Sequence, residues 1–336
     1  MKLGFSMGYA PPGTSPLQLV ALTEEAERLG FDSAWAAEAW GTDAVTLLAW
    51  TGARTSRIRL GSSVLQIAAR TPAATAMTAA TLDLLSGGRL VLGLGVSGPQ
   101  VVEGWHGQPW AQPLPRVREY VEIVRSALRR ETLEHRGRHY RLPYDGPGST
   151  GLGRPIRLLA RPLRAEVPIY LAALGPRSVA LAAEIADGWL PTFLDPERLR
   201  DVFGASLAAA PPGFEIATTA QVLVGDDVAA LRDRLRPHVA LYVGGMGARG
   251  QNFYHRLVSA YGWEREPDEI QELYLAGRHR DAAAAVPDEL IDAVALVGSP
   301  ERIRDRLPAY AEAGVTTLVC TTPQVEALRV VAELLL

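Results

Sequence analysis

The segment Leu171-Ala172-Ala173-Leu174-Gly175-Pro176-Arg177-Ser178 is the most specific chemical signal in the chain. An apolar run ending at Ala172–Ala173, a glycine that permits close approach and a proline that opens a helix leave free N–H groups at a helix start. Arg177 and Ser178 add a fork of charged donors and a hydroxyl. Such a set suits a phosphate group; helix capping beside a surface arginine is the alternative. Two further segments, Gly93-Leu94-Gly95-Val96-Ser97-Gly98 and Gly245-Met246-Gly247-Ala248-Arg249-Gly250, match the GxGxxG pattern. Dinucleotide binding needs a helix opening directly from the glycines of the first strand–helix unit. Pro99, Gly104 and Gly107 do not propagate a helix after the first match, and the second follows a helical stretch, not a strand. The first is therefore read as a strand ending in a loop that lets a flat or anionic group approach the backbone.

In Ile58–Gln66, Ser62 and Ser63 stand mid-strand, where a barrel favours bulky aliphatics. Small residues there leave room for a planar ligand, and hydrogen-bonded core serines are the alternative. None of His106, His135, His139, His238, His255 and His279 has HxH or HExxH spacing, so no metal site is expected. His106, in Trp105-His106-Gly107 shortly after the fourth strand, is the one histidine near a strand's C-terminal end. It is a candidate proton donor or substrate contact. No GxSxG elbow occurs, which argues against a hydrolase of that type.

The elements that must carry these residues follow a strand-then-helix rhythm. Strand starts are expected near residues 3, 32, 58, 90, 168, 188, 215 and 316, with helices such as Pro16–Leu29, Pro72–Leu85 and Pro176–Ala186 between them. Eight strands separated by helices is the count of an α/β fold of the (β/α)8 TIM-barrel type; an open doubly wound sheet is the alternative. Two long gaps read as insertions after strands 4 and 7, about 134–166 (rich in Gly, Pro and Arg) and about 244–295, with 226–295 mostly helical. Neither is a polar low-complexity linker, so residues 1–336 are expected to form one domain.

The chain has 336 residues, 48% of them hydrophobic and 21% charged, which excludes a disordered class. Its formal charge of 34 − 37 = −3 gives no pull toward nucleic acid or anionic lipid. No apolar run approaches the ~18 residues of a membrane span, and the apolar stretch before Pro11-Pro12 is too short for a signal sequence. Cys320, alone, cannot form an internal disulfide. A cytoplasmic location is expected.

Four blocks carry a resemblance: GFDSAWAAEAWGTDA from Gly30, LGSSVLQIAARTPAATAMTAATLDLLSGGRLVLGLGVSGPQVVEGWHG from Leu60, PIYLAALGPRSVALAAEIADGWLP from Pro168 and GSPERIRDRL from Gly298. Over nearly the whole chain the sequence resembles the bacterial luciferase-like monooxygenase superfamily, in particular its actinobacterial branch that uses the deazaflavin coenzyme F420. The resemblance implies a TIM barrel with an insertion and a deazaflavin or flavin at the C-terminal mouth. It also implies a non-prolyl cis peptide at Ser63-Val64 behind the ring. Glu38 matches the acidic residue that ends the second strand in relatives. The cofactor phosphate matches Ala173 and Gly175–Ser178, and the loop after strand 4 matches Gly95, Val96, Ser97 and Gly98. Two departures stand out: Ala39 takes the place of a histidine found in some deazaflavin enzymes, and Pro99 replaces an asparagine used by some relatives. Arg249 is a further candidate for the anionic tail of F420, Trp40 and Trp105 for a substrate wall, and His106 and Glu38 for catalysis. The function implied is hydride transfer between F420 and an organic C=C, C=N or alcohol/carbonyl substrate. An FMN-dependent monooxygenase, or a flavin-binding protein without turnover, is the alternative. Expected partners are a small-molecule or peptide substrate and a second copy of the chain in a homodimer.

Overall fold

In the computed structural model, residues 1–9 and 14–336 are described; Ala10, Pro11, Pro12 and Gly13, including the Pro11-Pro12 pair noted above, lie outside the described residues. Eight parallel strands close on themselves: Lys2–Gly8, Ser33–Ala36, Arg59–Ser62, Leu90–Gly95, Ile169–Ala172, Gly188–Leu190, Glu215–Val224 and Thr317–Thr321. The seventh strand pairs with the sixth through Glu215↔Gly188 and with the eighth through Ala217↔Thr317. The eighth returns to the first through Lys2↔Thr317. The structure is thus a TIM barrel, and all eight strands start within two residues of the positions read from the sequence.

Local signals set the helices around it. Ser15 and Gln18 make a reciprocal capping box at the start of Pro16–Arg28. Asp43 and Thr71 cap Ala44–Arg54 and Pro72–Leu85 by accepting the backbone N–H of Thr46 and Ala74. The strands are buried on both faces, so they read as apolar runs, Leu90–Gly95 throughout its length.

Two regions differ from the reading. Residues 134–166 carry a small hairpin, His135–Arg136 with Arg141–Leu142, inside an otherwise irregular segment. The second insertion is helical as expected, but a ninth strand, Ala295–Gly298, extends the edge of the seventh through Gln221↔Ala295. Its four residues offer too short a pattern to distinguish a buried strand from the end of a helix.

The lumen is filled by a second core, separate from the layer between sheet and helices: Trp35, Val91, Tyr170, Leu190, Ala217 and Val319, one residue from each of six strands. Trp35 is its largest member, 5.8 Å from Tyr170 between ring centroids, and its indole N–H donates to Ser33 Oγ at 2.9 Å. Glycine admits it: a Cβ at Gly61 would lie inside the Trp35 indole, and one at Gly93 would overlap the Ser62 carbonyl oxygen. Below this plug, at the N-terminal strand ends, Arg59 bonds Asp32 (2.8 Å) and Glu215 (3.3 Å), and Lys2 reaches Glu215 at 3.0 Å. Charge pairs thus lie across the floor of the barrel and packed rings fill its middle.

Since backbone cannot yield as a side chain does, Gly93→Ala is expected to lower stability by roughly 3 kcal/mol or more, at or beyond the upper end of ordinary overpacking. Gly104→Ala, where an added Cβ meets nothing, is expected to shift stability by less than ~1 kcal/mol. Urea unfolding of both variants checks this; equal midpoints would contradict it.

Candidate functional site

The third strand is interrupted at the mouth. Arg59–Ser62 and Leu65–Gln66 flank a cis peptide between Ser63 and Val64, where the resemblance had put one. The Ser63 amide donates to Ala36 O at 2.7 Å, and Leu65–Gln66 goes on to pair with Leu94 and Gly95 of the fourth strand. Val64 packs down onto the lumen core, beside Ala172. A Cβ at Gly95 would stand 2.5 Å from Val64 Cγ2, so glycine there is what lets Val64 lie flat against the neighbouring strand. Ser62, in contrast, has the core role: its hydroxyl donates to Gly93 O at 2.8 Å and accepts from Gly93 N at 2.9 Å.

Glu38 lies at the end of the second strand, but its carboxylate is not free. Arg70 donates to both oxygens, at 2.6 and 3.0 Å, and reaches Asp43 at 2.7 Å. Burial opposes ionisation of Asp43, yet the Thr46 hydroxyl and amide together with Arg70 hold its carboxyl below the usual range. Gln66 completes the arrangement by donating its amide to Glu38 O (3.2 Å) and Ala39 O (2.9 Å). Arg70 and Gln66 therefore clamp the chain at residues 38–43. Sequence reading missed both, although each falls at the C-terminal end of a barrel strand, the face on which barrel enzymes carry their chemistry.

After the fourth strand, Ser97 adopts a left-handed conformation (φ 59°) and Gly98 opens a short helix, Pro99–Gly104. That corrects the expectation that nothing helical follows Gly98, because Pro99 occupies the first-turn position where its missing N–H costs nothing. Trp105 and His106 follow this helix. Trp105 is 66% exposed and Trp40, from the preceding loop, 55%. His106 is turned inward, and its Nε2 is buried without a partner.

At the fifth strand, Gly175 is the N-cap of Pro176–Ile185, and Ser178 closes the cap by accepting Gly175 N–H at 3.2 Å and donating to Gly175 O at 2.8 Å. Ser178 thus has the capping role given above as the alternative. Arg177 is exposed and has no ion-pair partner among the described residues. Ala173 is buried, its carbonyl taken by the Trp189 indole at 2.9 Å. Arg249 lies exposed in the 246–250 turn of the second insertion, after a π-helical turn, Leu241–Gly245. No group of three or more potential metal ligands occurs among the described residues, and no described helix is long and apolar enough to cross a membrane.

The strand ends thus gather the cis peptide, an ion-paired carboxylate, an inward histidine and a free arginine at a helix start around the C-terminal mouth of the barrel, the usual place of an active site in this fold. The family model of the luciferase-like monooxygenases matches residues 3–317, and the chain belongs to that family. It is 49% identical, over 99% of each chain, to a Mycobacterium tuberculosis protein named "Putative coenzyme F420-dependent oxidoreductase Rv3520c". It is 30% identical to the 5,10-methylenetetrahydromethanopterin reductase of Archaeoglobus fulgidus, over 96% of this chain and 94% of that one. The fold is also that of the coenzyme F420-dependent tetrahydromethanopterin reductase of Methanopyrus kandleri, with a TM-score of 0.80 at 22% identity over 99% and 97% of the two chains.

Removing the Arg70 guanidinium leaves a nearly buried carboxylate unpaired. Arg70→Leu is expected to lower stability by roughly 3 kcal/mol, as for breaking other buried pairs, and Arg70→Leu/Glu38→Leu to regain part of it. Wild-type stability in the single variant, measured by urea unfolding, would contradict the clamp.

Proposed function

We propose that this chain is an oxidoreductase that uses coenzyme F420 and transfers a hydride to or from an organic substrate with a C=C, C=N or alcohol/carbonyl group. The observation that carries the reading is the full-length 49% identity to the mycobacterial protein whose name describes it as F420-dependent. The residues present fit such a group. Of ten buried side-chain polar atoms without partners among the described residues, four, Thr42 Oγ1, Gln66 Oε1, His106 Nε2 and Thr321 Oγ1, lie at or after the C-terminal ends of four different strands. Buried polar atoms left unpaired cost roughly 1–3 kcal/mol each, so their gathering at the mouth suits a site completed by a polar ligand. The glycine at 95 keeps the space beside Val64 clear, and Arg177 offers an unpaired cation beside helix N–H groups for a phosphodiester.

The deazaflavin, when bound, supplies a two-electron hydride centre at its C5 carbon. The tasks left to the chain are positioning, exclusion of water and proton handling. Ser63 and Val64 provide the flat support, fixed from below by the lumen core. Arg70 and Gln66 hold the 38–43 segment, and with it Trp40, in place; Glu38, doubly bonded, acts in this clamp. Trp40 and Trp105 bring exposed apolar surface to the mouth and exclude water there once covered. His106 is the candidate proton donor to substrate, its buried Nε2 having no hydrogen-bond partner among the described residues.

Titration of the purified protein with F420 and with FMN tests the cofactor. F420 is expected to bind more tightly, because its phosphodiester and glutamate tail add anionic groups; tighter FMN binding would support the monooxygenase reading instead. Arg177→Ala is expected to cost about 1.5–3 kcal/mol of F420 binding, as for a charged hydrogen bond, with the Tm of the cofactor-free protein unchanged. His106→Gln is expected to leave F420 affinity intact and to lower turnover by ~10²-fold; full turnover would remove the proton-donor role alone.

A further inference from the structure

The helices Ala44–Arg54 and Pro72–Leu85 lie side by side on the outside of the barrel, and residues such as Leu47, Leu48, Ala79 and Leu82 turn their inner faces to the core. An outer helix normally shows charge to water on its other face. Pro300–Glu312 does so with Glu301, Arg304 and Asp305. Pro72–Leu85 does not. Its one charged residue, Asp83, is fully buried and paired with Arg164. What it exposes is Ala74, Met77, Thr81, Leu84 and Leu85, the last by 74%. Steps of three, four and three residues lead from 74 to 84, which is the seam that a further helix fills. Ala44–Arg54 repeats the spacing with Thr46, Trp50 and Ala53; its exposed Arg54 stands in the last turn and bonds Glu24 at 2.8 Å. The first insertion continues this surface. Arg164, held by Asp83, brings Leu163 beside Gly88, just past the end of Pro72–Leu85, where an added Cβ would lie 3.5 Å from Leu163 Cδ2. Leu163 is more than half exposed, as are Trp50, Met77 and Leu84.

We propose that a second copy of this chain covers this face, helix pair against helix pair about a twofold axis, with Leu163 of the first insertion carrying the contact past the helix ends. Contiguous exposed apolar surface of this kind marks a protein interface. Its lack of charge says which partner. Twofold pairing sets a patch against itself, so a charge near its centre would meet its like. A foreign partner is steered and selected by complementary charge, and this face offers none. The seam spacing calls for helices, and a second copy supplies two with the same spacing. The pairing uses none of the residues at the barrel mouth and is independent of the F420 reading.

The experiment is sedimentation velocity on the full chain and on Met77→Arg, Leu85→Arg and Leu275→Arg, with far-UV circular dichroism to confirm folding. Leu275 is 46% exposed in Glu266–Leu275 of the second insertion, away from this face, and serves as the control. At ~10 μM the wild type is expected to sediment with about twice the 36.2 kDa mass of one chain. Met77→Arg and Leu85→Arg are each expected to weaken the pairing by about 100-fold or more, because the twofold places every added charge in the interface twice. Leu275→Arg is expected to remain paired. A wild type that stays a single chain up to ~100 μM would overturn the proposal, whether a foreign partner or none covers the face. So would folded Met77→Arg and Leu85→Arg that pair like the wild type, or a Leu275→Arg that separates as they do. Should either interface variant fail to fold, Thr81→Arg, which replaces a small exposed hydroxyl in the same seam, decides in its place.

Discussion

A tryptophan inside a closed barrel requires that neighbouring strands give up their side chains. Trp35 occupies the lumen because Gly61 offers no Cβ to meet its indole, and Gly93 lets the fourth strand approach the Ser62 carbonyl equally closely. Tyr170, Val91, Leu190, Ala217 and Val319 fill what remains. Interiors pack at crystal-like density, so this plug is rigid, and it separates a charged floor from a functional mouth. Val64 and Ala172 rest directly on it. The support offered to a flat ligand is therefore as firm as the barrel core, and its height in the lumen follows from the size of one indole.

On the side of the second to fifth strands the Arg70 guanidinium is held by Glu38 and Asp43, whereas the exposed Arg177 makes no ion pair among the described residues. An unpaired arginine beside a helix start is the natural contact for an anion, and a paired one is a strut. On the side of the sixth and seventh strands a small pocket has no charged side chain in its lining, although the buried Asp195 follows the sixth strand. Thr192, Thr219, Gln221 and a neutral His238 line it, backed by phenols and Phe193.

The insertions have unequal parts in this. Residues 134–166 pack outside the barrel, where Arg164 pairs with the fully buried Asp83 of the Pro72–Leu85 helix. The second insertion instead supplies the roof: the Val228–Ala240 helix, the π-helical turn that carries Tyr242, and Tyr254 in Phe253–Ala260. Trp110, from the loop after the fourth strand, meets Phe253 at 6.3 Å and ties that loop to the roof. The aromatic residues of this roof are thus attached to the scaffold through the second insertion and not through the strand ends themselves.

The eight strands, the capped helices and the helix start at Gly175–Pro176 were legible in the sequence, because each is a local matter of apolar period, a capping side chain or a proline's fixed φ. The cis peptide at Ser63-Val64 and the place of Glu38 were legible through resemblance alone; no composition or spacing rule points to them. What tertiary structure decided is which polar groups are free and which are spent. Glu38 looks like an acid in the sequence and is a clamp in the fold, because Arg70, 32 residues away, arrives to bind both of its oxygens. Ser62 and Ser63 look equivalent, yet the first bonds across to Gly93 and the second reaches back to Ala36. His238 sits in a helix as one polar residue among many, and only the approach of Gln221 and Phe193 from two barrel strands makes it the neutral roof of a cavity. Period and capping are short-range and survive in a linear reading. Burial, charge state and hydrogen-bond partnership depend on residues brought together by closure of the barrel, and for those the sequence holds the parts without their distances.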